Sequence, residues 1–114
     1  MDMDNNNYER LPQELAPLLN ALAHPARIQI IMHLAKYDAC QAKGISERLP
    51  LAKSTVSEHL NKLKEVNLIS SIPNGNSLFY SLNHNNFNKF IAIFNLFKEK
   101  VDNATNNICT CNNP

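Results

Sequence analysis

Residues 51–69, LAKSTVSEHLNKLKEVNLI, decide the fold. Val56, Leu60 and Leu63 recur at spacings of four and three, which predicts a helix with one narrow buried stripe. The other faces carry Lys53, Ser54, Thr55, Ser57, Glu58, His59, Asn61, Lys62 and Lys64. Short hydroxyl and amide groups crowd the first turns. Such groups reach base edges in a major groove, and lysines suit phosphates. Serine and threonine are mediocre helix formers, so a merely solvated helix would carry more Glu/Lys pairs in their place.

The flanks extend this reading. Residues 45–49, ISERL, read as a short helix, and Pro50-Leu51-Ala52 makes a tight connection into the long one. Helix, short turn, helix is a DNA-binding unit. Downstream, 68–72 and 77–82 read as two strands. Asn74-Gly75 between them signals a hairpin with a type I′ turn, which needs φ > 0 at both central residues. The expected fold is mostly α with a small β-hairpin wing, an α+β winged helix-turn-helix.

Composition allows one small domain with a modest core: 114 residues, 44% hydrophobic and 18% charged. No apolar run approaches bilayer-spanning length, so no membrane partner is expected. The start, MDMDNNNYER, reads as neither a signal nor a transit peptide, and a cytoplasmic location is the expectation. Net charge is only +1, but residues 36–64 hold six basic side chains (Lys36, Lys43, Arg48, Lys53, Lys62, Lys64) against Asp38, Glu47 and Glu58. A local basic face on a near-neutral chain suits reversible DNA binding, and equally a solvated surface. Three cysteines, an odd count without an export signal, argue against a disulfide framework.

Along the chain, residues 1–10 read as a flexible arm, 11–101 as the domain and 102–114 as a flexible tail. Leu11, Leu15, Leu18, Leu19 and Leu22 keep helical spacing, and Pro17 should break or kink that helix. A second helix over 25–36 should bury Ile28, Ile31, Met32, Leu34 and Ala35; 37–44 should be a loop. A last helix over 85–101 places Phe87, Phe90, Phe94, Phe97 and Val101 at alternating spacings of three and four. It either lies on its own core or pairs with its twin across a two-fold axis. The expected homodimer seam is Phe87, Phe90, Phe94 and Phe97.

Residues 19–30, LNALAHPARIQI, and 51–69 resemble the two signature stretches of the ArsR/SmtB family, in order and spacing, within a likeness that covers roughly 15–100. The resemblance implies a homodimeric winged-helix repressor on double-stranded operator DNA with an inverted repeat, whose affinity falls when a metal or metalloid binds. Carried over by position, Lys53, Ser54, Thr55, Ser57, Glu58 and His59 face DNA; Asn61 and Lys62 complete the expected set. The chain departs from the family in four places. Ala52 stands at the usual helix cap and cannot cap with its side chain, so a Thr55-x-x-Glu58 capping box should start the helix later. Glu58 stands where the family often has His. The wing, 73–77, has no Arg or Lys, and His24 replaces an acidic residue before Pro25 at an expected helix start.

The family's Cys-x-Cys arsenic box would fall on Gln41 and Lys43 and is absent; Cys40 lies just before it. The family's zinc site on the last helix is absent too, since His84 lacks partners. Cys109-Thr110-Cys111 remains. Two thiols one residue apart chelate a soft, thiophilic centre, and a disulfide between them would be strained. Trivalent arsenic or antimony is the expected effector, with Cys40 as a possible third sulfur; zinc, wanting four N or S ligands, fits poorly. No histidines share ligand spacing, and His33 should lie at a core edge. No catalytic signature or phosphate loop occurs, so neither an enzyme nor an organic cofactor is expected. Two alternatives stay open: a winged-helix repressor with a redox signal or none, and an interaction module that lost DNA binding.

Overall fold

A computed structural model describes residues 10–105. Residues 1–9 of the arm expected at 1–10 and the Cys109/Cys111 dithiol lie outside them, and Arg10 opens the first helix. The elements are α1 Arg10–Leu22, α2 Pro25–Lys36, α3 Ala42–Arg48, α4 Lys53–Glu65, β1 Ile69–Asn74, β2 Ser77–Leu82 and α5 His84–Thr105. This is a winged helix-turn-helix: α3, a short turn, α4, and then an antiparallel hairpin with Ile69 opposite Leu82 and Asn74 opposite Ser77.

The core explains the order. Ile30 and Leu34 of α2, Ile45 of α3, and Val56, Leu60 and Leu63 of α4 meet Leu68 and Ile69 at the wing's root, all buried. Each such side chain contributes about 1.5–3 kcal/mol by leaving water. The end of α4 is fixed by Asn67 in the left-handed region, φ 62°. The Asn67 N–H reaches the Lys64 carbonyl at 2.9 Å and the Leu68 N–H the Leu63 carbonyl at 3.1 Å. That is a Schellman stop, in which Asn takes the place glycine usually holds, and it swings Leu68 into the core. At the start of α5, the Asn83 side-chain oxygen accepts from the Asn86 N–H at 3.0 Å.

Several expectations change. Pro17 sits inside a continuous α1. It is exposed, so the carbonyl it leaves unbonded is open to water rather than to the core. Ile28, Met32 and Ala35 are exposed; the buried side of α2 is Ile30, Ile31, His33 and Leu34. Helix α3 begins at Ala42, within the expected loop. Helix α4 begins at Lys53 with Ala52 as its uncapped N-cap, so no Thr55/Glu58 box delays it. In the wing only Gly75 has positive φ, 66°, and the loop is Gly75-Asn76, so glycine holds the first central position rather than the second of a type I′ pair. Helix α5 extends to Thr105, aided by a Lys98–Asp102 ion pair at 2.6 Å across one turn, so residues 102–105 are helix and not tail.

Candidate nucleic-acid interface

Helix α4 turns two faces in opposite directions. Val56, His59, Leu60 and Leu63 go inward, while Lys53, Ser54, Ser57, Glu58, Asn61 and Lys62 are exposed and Thr55 is half-buried. Among the described residues no ion pair engages Lys53 or Lys62. The outward face therefore presents two free cations, two hydroxyls, an amide and one carboxylate from a helix held by its back. Phosphate contacts from the lysines would position such a helix and the hydroxyls and amide would reach base edges. At the wing tip, Pro73, Asn74, Gly75 and Asn76 are all exposed and uncharged.

His59 is the exception within the expected DNA-facing set. It is only 5% exposed and cannot reach a groove. Its Nδ1 accepts from the Arg27 Nε–H at 3.0 Å, and its ring lies 4.4 Å from that of His24. His24 does stand at a helix start, where its Nδ1 accepts from the Ala26 N–H at 3.2 Å and caps α2. This cluster joins residues far apart in sequence, so spacing alone does not reveal it. The stripe 56, 60, 63 nevertheless admits 59 as an inward position, the signal available for His59.

The expected seam also divides. Phe90 is buried within the chain, and Phe87 packs half-buried against the same core. Phe94 and Phe97 are exposed, as are Ile91, Leu96 and Val101. Beside them an open apolar groove of about 530 Å³ runs between α1 and α5, lined among others by Leu15, Leu19, Phe97 and Val101.

Cys40 lies half-buried at the wing's root. Its backbone bridges Tyr80 of β2 through two hydrogen bonds, 3.0 and 2.8 Å. Its Sγ lies 3.6 Å from His33 Nε2. Burial raises the thiol's pKa, and Asp38 adds to this while Arg48 opposes it. His33, buried as a core-edge residue, is held below the ordinary imidazole range by desolvation and then by Arg48 and Lys36. Among the described residues no group of three or more His, Cys, Asp or Glu side chains is placed to hold a metal ion. No described helix is long and apolar enough to cross a membrane.

The family described as "Bacterial regulatory protein, arsR family" matches residues 24–71, which span α2 to the start of the wing. The transcriptional repressor PagR of Bacillus anthracis is 34% identical over 80 residues, covering 70% of this chain and 80% of PagR. The arsenical resistance operon repressor of Staphylococcus xylosus is 29% identical over 101 residues, covering 89% of this chain and 91% of the repressor. Among solved structures, an ArsR-like transcriptional regulator from Rhodococcus sp. RHA1 superposes with a TM-score of 0.72 at 25% identity, over 82% of this chain and 87% of that one.

Proposed function

The chain belongs to the ArsR family of bacterial regulatory proteins, and from that premise we propose that it is a homodimeric repressor that reads an inverted-repeat operator through α4 and leaves it on binding trivalent arsenic or antimony. It is a transcriptional regulator and not an enzyme. The observation that carries the reading is the free outward face of α4, Lys53 to Lys62, on a helix whose back is locked into the core. DNA-contacting positions are Lys53, Ser54, Thr55, Ser57, Glu58, Asn61 and Lys62. The dimer is supported by the exposed apolar side of α5, where Phe97 and Val101 border the groove against α1 and Phe94 is exposed. A single recognition helix gains affinity by pairing with a second half-site.

The effector rests on chemistry. Cys109 and Cys111 supply two sulfurs one residue apart, and arsenical operon repressors are among the relatives. Cys40 could add a third, against the burial that disfavours its thiolate. A second reading is a repressor released by some other signal; the relatives include the transcriptional repressor PagR beside the arsenical operon repressors.

Binding of the chain to a duplex from upstream of its own coding sequence, with and without arsenite, tests the effector. A coupling of about 1–3 kcal/mol would lower affinity roughly 5- to 150-fold. Cys109→Ser or Cys111→Ser should bind as the wild type does and ignore arsenite. Cys40→Ser should weaken the response to arsenite and spare that to a monosubstituted arsenical, which has only two exchangeable positions. A double Cys109/Cys111 serine variant that still lets go on arsenite would remove the dithiol from the account.

A further inference from the structure

Behind α4, two imidazoles and a guanidinium meet in an arrangement that leaves the buried ring, His59, one protonation state. His59 belongs to the buried stripe of α4. The Arg27 Nε–H donates to its Nδ1 at 3.0 Å, and Arg27 Nη1 donates to the Ala21 carbonyl at 3.3 Å. One guanidinium thus ties α2 to α4 and to the last turn of α1. His24, at the cap of α2, accepts the Ala26 N–H on its own Nδ1 and packs its ring against His59, tilted by 57°. A backbone amide and a guanidinium can only donate, so both Nδ1 atoms must be unprotonated. The single proton of His59 therefore sits on Nε2, which is buried without a hydrogen-bond partner among the described residues.

A second proton on His59 has one place to go, Nδ1, where the Arg27 N–H already points. It would end that hydrogen bond and set a buried imidazolium against a guanidinium. Across the elements packed around His59, the charged or titratable groups that act on it are His24 and Arg27, from α2 and its cap, and Glu58 of α4 itself. Desolvation first, then His24 and Arg27, hold the ring below the ordinary imidazole range and outweigh Glu58.

We propose that Arg27 and His24 are positioning residues for the recognition helix, acting through neutral His59, and that acid loosens this seat and weakens DNA binding. The seat follows from the geometry alone; its effect on DNA rests on the repressor reading. Because the folded His59 binds its proton less readily than the unfolded chain does, its contribution is full above the unfolded value of about 6.5 and is lost as pH falls through the lower folded value. One proton gives at most about a tenfold change per pH unit. Ordinary histidine protonation has the opposite sign on DNA, because added positive charge strengthens phosphate binding.

The test is nitrogen NMR of the imidazoles and amide exchange across residues 53–65 in the full chain, from about pH 8 to about pH 5. His33 also titrates low, so global unfolding does not discriminate and the readout must be local to α4. Wild type should show His59 as the Nε2–H tautomer, with α4 protection and affinity for the upstream duplex falling together below about pH 6.5. His59→Asn keeps an acceptor near Nδ1 and cannot be protonated, and its α4 protection should be flat over that range. His24→Asn keeps a cap acceptor and removes the imidazole packed on His59, and should make the loss shallower; it decides the matter if His59→Asn does not fold. A His59→Asn variant that tracks the wild type, or a wild type whose α4 protection is unchanged at low pH, would overturn the seat. Loss of protection with no fall in affinity would overturn its link to DNA. A chain that binds no duplex at any pH yet shows the α4 change would support the seat and count against the repressor reading.

Discussion

Ser57 and Lys62 stand on the same exposed face of α4 and should fail differently when removed. Lys62 offers a point charge, which suits phosphate and counterion release. Lys62→Ala should weaken binding to all duplexes alike and reduce the salt slope by about one. Ser57→Ala removes a short donor and acceptor near the helix start, and should shift sequence preference with little change in slope, by about 1–3 kcal/mol at the affected base pair if the contact is direct. Binding to the upstream duplex and to shuffled DNA at several salt concentrations checks both; equal effects on shuffled DNA would count against base reading by α4. Residue identity carried this face only in part. Hydroxyls and lysines outside an apolar stripe are visible in sequence, whereas the fate of His59 depended on Arg27, thirty-two positions away, offering it a hydrogen bond.

Among the elements, α5 is the one whose role divides along its length. Its first half, with Phe87 and Phe90, is spent on the chain's own core, and its second half leaves Phe94 and Phe97 in water. Phe94→Glu should therefore spare the monomer, where the site is exposed, and cost the proposed seam on the order of several kcal/mol, because a carboxylate without a partner is buried there. Sedimentation checks it: dimeric wild type and a monomeric, folded variant are expected, and a monomeric wild type at micromolar concentration would remove the seam. Helix α4 and the hairpin were legible because an apolar period of 3.6 and turn residues mark them strongly; α2 was legible in its extent but not in its buried side. The even phenylalanine ladder of α5 could not show where intrachain packing stops, since the period is the same on both sides of that point. Likewise Pro17 could not show that its unbonded carbonyl lies on the wet side of α1, nor could the stretch before Ile45 reveal that Cys40 bridges Tyr80. Those outcomes depend on tertiary neighbours.

The whole molecule is near neutral, carries an uncharged wing tip, and concentrates the proposed DNA-reading groups on one helix. Such a chain should depend on two copies of α4 rather than on wing contacts for affinity, and its target should show two-fold symmetry. The measurement that tests this most directly is protection of the upstream DNA against cleavage by the bound protein. The account predicts one bounded footprint over an imperfect inverted repeat, with half-site centres about one helical turn, roughly 34 Å, or a multiple of it apart. Diffuse protection with no preferred segment, at concentrations where the chain is a folded dimer, would contradict it.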